Sequence, residues 1–217
     1  MSDLEAVSRK HRMLLIGVTG GIASGKTTVA NMLKALGIPL IDFDLLAREV
    51  VEPGKPAWRD IVAYFGERVL QKDGSLDRRV LSDIVFRDEE KRKKIEIFTH
   101  PRITEAFTAQ LNEIKKNNPD TVIQAVVPLL IETNLQDRFH KILVVYVPAE
   151  VQVDRLAARE KITREEAARI IKAQLPIDKK VGYADFVIHN ENSLQDTQNQ
   201  VERLVKQLRT LQKKRRG

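Results

Sequence analysis

The segment Gly20-Gly21-Ile22-Ala23-Ser24-Gly25-Lys26-Thr27 spaces two glycines by four residues and follows the second with a lysine and a hydroxyl residue. That pattern suits the binding of a nucleoside triphosphate. A loop of this composition turns successive backbone N–H groups inward, so that a polyphosphate is held by main-chain dipoles and by the positive end of the following helix. The residues expected to touch ATP are Gly21, Ile22, Ala23, Ser24, Gly25, Lys26, Thr27 and Thr28. Lys26 is placed to reach the β- and γ-phosphates, and the Thr27 hydroxyl to ligate the Mg2+ that bridges them.

Two further groups of residues carry chemistry. Leu40-Ile41-Asp42-Phe43-Asp44 reads as the end of a strand, and an extended chain puts residues two apart on one face, so the two carboxylates are expected to point together. A hydroxyl acceptor needs a carboxylate to orient it and take its proton, while Mg2+ needs oxygen ligands beyond Thr27. Asp42 and Asp44 can divide those roles, with Asp42 the metal-side acid; capping of a helix that starts near Leu45 is the competing role for Asp44. Farther along, Arg155 and Arg159 are four residues apart on one helix face, and Thr163-Arg164-Glu165-Glu166 reads as a capping box that opens the next helix, which carries Arg169. Beside a triphosphate site, such a hairpin is a cationic lid that stabilises transferring phosphate and excludes water; away from one it is a solvated amphipathic pair.

These residues need a frame. Leu14 to Thr19 is an apolar, partly β-branched run before the loop, and Val29, Ala30, Leu33 and Leu36 recur at helical spacing after it until Gly37. Further strand-like runs lie at Pro39 to Phe43, Thr121 to Val127, Lys141 to Val147 and Ala184 to Ile188, with helical patterns between them. The alternation predicts an α/β fold, a parallel five-stranded sheet of the P-loop type flanked by helices, with its ligand crevice at the carboxyl ends of the strands. The nucleotide-binding core is assembled from residues 13–55, 119–148 and 181–212. Residues 56–118 form a strandless helical insertion on the substrate side, with helices expected at Ala57 to Phe65, Arg79 to Phe86, Glu89 to Phe98 and Ile103 to Asn117. The lid is expected at 149–180, an N-terminal extension at 1–12 and a basic tail at 213–217. Val201, Leu204, Val205, Leu208 and Leu211 make a one-faced stripe that predicts a terminal helix packed on its own sheet, and a monomer is favoured.

Composition excludes several classes. The 217 residues include no cysteine, so thiol nucleophiles, thiolate zinc sites and disulfides are ruled out, and a cytoplasmic setting is expected. No apolar run is long enough to span a bilayer, so no membrane partner is expected. The net charge is +7, but Lys213, Lys214, Arg215 and Arg216 hold +4 of it and residues 1–12 another +1, which leaves +2 for the body. The tail suits a helix C-terminus, and no specific nucleic-acid partner is expected.

Taken in order, Thr19 to Thr28, Ile41-Asp42-Phe43-Asp44 with Ala47-Arg48, His100-Pro101-Arg102-Ile103, Pro128-Leu129-Leu130-Ile131-Glu132, the Gln152-to-Gln174 arginine hairpin and Ala184-Asp185-Phe186-Val187-Ile188 with Asn190 resemble the dephospho-coenzyme A kinases over residues 13 to 210. The resemblance implies transfer of the γ-phosphoryl group of ATP to the ribose 3′-hydroxyl of dephospho-CoA, with ATP and dephospho-CoA as the partners. It makes Asp44 the base and sets Arg48 one helical turn beyond it toward acceptor or phosphate. Lys26, Arg155 and Arg159 become the catalytic cations, and the helical insertion becomes the region for the pantetheine-bearing substrate. His100 and Glu132 fall near its junctions with the sheet as substrate-binding candidates; a purely structural role for His100 and an exposed helix-flank position for Glu132 are the alternatives. Pro128 stands where phosphate-loop enzymes often carry a metal-side aspartate, which puts more weight on Asp42 and Asp44. Residues 1–12 precede the point where similar proteins begin.

Three other functions fit parts of the pattern. A kinase for another small acceptor, such as a nucleotide or nucleoside, shares the loop and differs in the remaining motifs. A nucleotide-dependent switch ATPase would not need paired acids beside an arginine hairpin, and no Asn-Lys pair exists to read guanine. A nucleic-acid binder would rest on the basic tail and show strong salt dependence.

Overall fold

The computed structural model describes residues 13–215; the extension at 1–12 and the last two residues of the basic tail lie outside the described residues. The described residues divide into two compact units, one made of residues 13–42 and 114–215 and the other of residues 43–113.

The first unit holds the sheet. Strands β1 (Leu14–Gly20), β2 (Leu40–Asp42), β3 (Val122–Val126), β4 (Lys141–Tyr146) and β5 (Phe186–His189) lie in the order β2-β3-β1-β4-β5. Every pairing is parallel, with Ile16 opposite Gln124 on one side of β1 and opposite Lys141 on the other. All seven residues of β1 are buried, as expected for the middle strand of a sheet covered on both faces. Helix α1 (Lys26–Ala35) follows the loop and buries Val29, Ala30 and Leu33. The C-terminal helix (Leu194–Lys214) closes the same core: Val201, Leu204, Val205 and Leu208 pack with Leu14, Ile16, Val18 and Leu33. The expected apolar stripe is thus spent on the chain's own sheet.

The second unit is helical: α2 (Phe43–Glu49), α3 (Pro56–Phe65), α4 (Arg78–Arg87) and most of α5 (Glu89–Asn117). Pro56 starts α3 at a position where its missing N–H costs nothing. Asp77 caps α4 by accepting from the N–H groups of Arg79 and Val80. Ile61, Phe65, Val69, Leu76 and Leu81 form its small core, with Trp58, Ile95 and Phe98 packed against them.

The structure departs from the sequence pattern at two points. Helix α5 runs unbroken through Pro101, where two separate helices were predicted. Proline removes the donor that would have reached the Ile97 carbonyl, a penalty of roughly 3 kcal/mol in a helix interior. Arg102 offsets part of it by donating to the Phe98 carbonyl at 2.8 Å and to Asp60 Oδ2 at 2.7 Å. Secondly, β2 ends at Asp42 and α2 starts at Phe43, so Asp44 sits in the first turn of a helix and not on a strand. Strand alternation therefore does not relate the two aspartates.

The remaining elements return to the first unit: α6 (Ala149–Glu160), α7 (Arg164–Lys172), α8 (Ile177–Val181) and the terminal helix α9 (Leu194–Lys214). Helices α6 and α7 form the predicted hairpin. Its capping box is complete, with Thr163 Oγ1 accepting from Glu166 N at 3.2 Å and Glu166 Oε2 from Thr163 N at 3.0 Å.

Candidate active site

The loop between β1 and α1 has the backbone that its glycines imply. Gly25 precedes α1 at φ 87° and ψ 27°, in the left-handed region. A side chain there would also collide with the Asn190 carboxamide. Gly21 is constrained differently, because a Cβ would strike the carboxamide of buried Gln152. Helix α1 starts with no side-chain cap and no acid in its first turn, so the N–H groups of its opening turn and its positive dipole end suit an anion.

Lys26, at the start of α1, lays its ammonium on the loop's own entry, donating to Gly21 O at 2.8 Å and Gly20 O at 3.3 Å. Thr27 is exposed and Asp42 is half-buried at the end of β2. The loop's floor comes from far along the chain. Asn190, just past β5, donates from Nδ2 to Ser24 O at 2.8 Å, and its Oδ1 accepts from Thr197 Oγ1 at 2.9 Å. Ser24 is buried, and its hydroxyl has no partner among the described residues.

The α6–α7 hairpin is bound to the loop at both of its feet. At the start of α6, Gln152 presses on Gly21 and donates from Nε2 to Val147 O at 2.8 Å. After α7, Gln174 Oε1 accepts from Ile22 N at 3.2 Å. Between them Ile22 and Ala23 pack into the hairpin's own core of Val153, Leu156 and Ala167. The two arginines of α6 differ in setting. Arg155 donates from a terminal nitrogen to Asn190 O at 2.9 Å, which anchors it beside the loop's floor. Arg159 is 56% exposed and paired only with its neighbour Glu160, at 2.8 Å, among the ion pairs described.

Glu132 is not an exposed acid on a helix flank. Its side chain is 22% exposed and its Oε1 lies 2.8 Å from Lys180 Nζ, while the same oxygen accepts from Leu175 N at 3.2 Å. Its Oε2 is buried with no partner among the described residues.

In the helical unit, Asp44 and Arg48 are exposed on α2, four residues apart and so on one face. Arg48 lines a cavity of about 670 Å3. Arg78, Gln71 and Ser75 give that cavity polar walls, and Leu81 and Ile95 give it apolar ones. His100 is exposed in the middle of α5, not at a helix start as its Pro101 neighbour suggested.

One histidine belongs to the frame. His140 Nδ1 accepts the N–H of Leu15 at 2.8 Å, and the His140 N–H returns a bond to Leu15 O at 2.9 Å. Burial, and secondarily the nearby Arg215 charge, push its pKa down from 6.5 to about 4, which keeps the ring neutral and able to accept.

Residue type and spacing alone do not mark Lys180, Gln152 and Gln174 as site residues. Two of them bound the hairpin in the motif, but nothing local marks a glutamine as a partner of a loop more than a hundred residues away.

A parallel sheet ordered β2-β3-β1-β4-β5, a glycine loop feeding a helix N-terminus and an arginine hairpin on that loop define a phosphate-loop kinase, an enzyme that binds a nucleotide and transfers its terminal phosphoryl group. The family model for dephospho-CoA kinase matches residues 14–196. A dephospho-CoA kinase of Geobacter metallireducens is 46% identical over 195 residues, covering 90% of this chain and 96% of its own. One of Listeria monocytogenes is 44% identical over 191 residues, covering 88% and 95%. The crystal structure of the Thermus thermophilus protein TT1252 superposes with a TM-score of 0.79 at 34% identity, over 92% of this chain and 99% of that one. The chain belongs to the dephospho-CoA kinase family.

Proposed function

We propose that the protein transfers the γ-phosphoryl group of ATP to the ribose 3′-hydroxyl of dephospho-CoA, giving CoA and ADP. The observation that carries the nucleotide half is α1, which opens at a left-handed Gly25 with no acid and no side-chain cap against its first-turn amides. Family membership carries the acceptor half. A kinase of another small acceptor and a switch ATPase are both disfavoured by that membership.

The residues divide the work as follows. Gly21 to Thr28 hold the polyphosphate through main-chain N–H groups, with Lys26 turning from the Gly20 and Gly21 carbonyls onto the β- and γ-phosphates. Asp44 orients the acceptor hydroxyl and takes its proton as the 3′-oxygen bonds to the γ-phosphorus and the bridge to the β-phosphate breaks. Arg48 meets the acceptor from the same face of α2, and the cavity it lines offers space for the pantetheine arm. Arg155 and Arg159 neutralise charge on the transferring group. Arg159 is easily released, since an exposed ion pair is worth only about 0–1 kcal/mol. His100 and Glu132 remain acceptor-side candidates from the resemblance.

A Mg2+ fits this chain. An ion that arrives with a nucleotide is held mainly by phosphate and water, with one or two protein oxygens. Thr27 and Asp42 would supply those oxygens. The ion neutralises the developing phosphate charge when bound.

The test is direct. Purified protein given ATP, Mg2+ and dephospho-CoA should yield CoA and ADP one for one. Phosphorylation of a different acceptor with none of dephospho-CoA, or acceptor-independent ATP hydrolysis, would sink the assignment.

A further inference from the structure

We propose that Lys180 is a positioning residue for the phosphate loop, acting with Glu132 to hold the loop's entry and the lid's second foot in one geometry. The inference rests on the kinase reading of the loop and adds a residue to it.

Lys180 sits on the short helix α8 and is the largest fully buried side chain, at 0% exposure. Its ammonium meets Glu132 Oε1 at 2.8 Å, the Gly20 carbonyl at 3.4 Å and the Pro128 carbonyl at 3.4 Å. Gly20 ends β1 and Pro128 lies two residues past β3, so one cation spans the carboxyl ends of two neighbouring strands. Thr19 Oγ1 donates to the same Pro128 carbonyl at 3.1 Å. A buried ion pair is a poor way to add stability, since well-packed apolar groups of equal volume generally serve as well or better. What this pair does supply is direction.

The peptide joining Gly20 to Gly21 is planar and trans, so anchoring its C=O fixes where the Gly21 N–H points. Lys26 shares the Gly20 carbonyl at 3.3 Å. When Lys26 moves to phosphate, that carbonyl would be left to turn, and with it the amide next in line; Lys180 keeps it in place. Glu132 extends the constraint to the lid. The oxygen that takes Lys180 also takes the N–H of Leu175, whose neighbour Gln174 accepts from Ile22 in the loop. Loop entry and lid foot are thus tied through one carboxylate.

Three variants test this: Lys180→Met, Lys180→Arg and the double variant Lys180→Met/Glu132→Leu, each followed by melting temperature, kcat/KM for ATP and affinity for MgADP. Lys180→Met should lower kcat/KM about 10²-fold, the scale of a displacement of about 1 Å at a reacting site, and weaken MgADP binding. The double variant removes both buried charges, so it should recover the parental melting temperature while keeping the loss of kcat/KM and of MgADP affinity. Lys180→Arg, which keeps a cation, should restore part of both. A double variant with parental kcat/KM and MgADP affinity would show that the pair serves the fold alone and overturn the proposal. MgADP affinity needs no acceptor, so these outcomes decide the role of Lys180 even if CoA formation fails in the parent protein.

Discussion

Gln174 Oε1 accepts the backbone N–H of Ile22 at 3.2 Å, joining the end of the α6–α7 hairpin to the phosphate loop across 152 residues of sequence. A single neutral hydrogen bond of this kind contributes about 0.5–1.5 kcal/mol net. Gln174→Ala should therefore lower stability by about 1 kcal/mol and speed hydrogen exchange of the Ile22 amide. An unchanged exchange rate at Ile22 would show that the bond is not populated in solution.

Asp44 and Lys26 should separate kinetically. Asp44→Asn is expected to lower kcat by about two to four orders of magnitude with ATP affinity largely kept, as removal of a general base does. Lys26→Ala should damage ATP binding and rate together. Near-normal turnover in Asp44→Asn removes that carboxylate from the base role.

Acidification should weaken the sheet through His140. Its folded pKa lies near 4 against 6.5 unperturbed, so between those values the unfolded chain binds more protons. The stabilisation from the neutral ring is complete above about pH 6.5 and is lost as pH falls toward 4. Denaturant midpoints of the parent and His140→Gln, followed from pH 7.5 to 4, should diverge in slope within that window and run parallel above it. Parallel curves throughout would contradict the assignment.

Leu208 is fully buried where α9 meets the sheet. Leu208→Ala should cost about 2–5 kcal/mol in urea unfolding, with a loss below about 1 kcal/mol showing that α9 does not close this core.

The five strands and the phosphate loop were legible because their signals are local: β-branched apolar runs, paired glycines, a lysine and a helical stripe within a few residues of one another. The Thr163 capping box was legible for the same reason, since its four residues decide it. The boundary at Asp42 and the continuity of α5 were not. Asp44 has the spacing of a strand residue, but the chain turns helical at Phe43. Pro101 carries a strong local stop signal that the bond between Arg102 and Asp60, 42 residues apart, helps to override. Lys180 was beyond reach altogether. It stands next to Lys179 on a polar stretch, and only the fold sends one of the two inward to meet a carbonyl 160 residues upstream.

The floor of the loop has a consequence for how the protein is made. The strand that leads into residues 20–27, β1, is flanked on both sides by strands synthesised more than a hundred residues later. Asn190, which holds Ser24 and fills the space beside Gly25, follows by 166 residues. Chains are built from the N-terminus at about 5–20 residues per second. For several seconds the nascent protein thus carries a complete phosphate-binding sequence with neither neighbour nor floor. The loop's backbone geometry is therefore completed only by residues made long after its own motif.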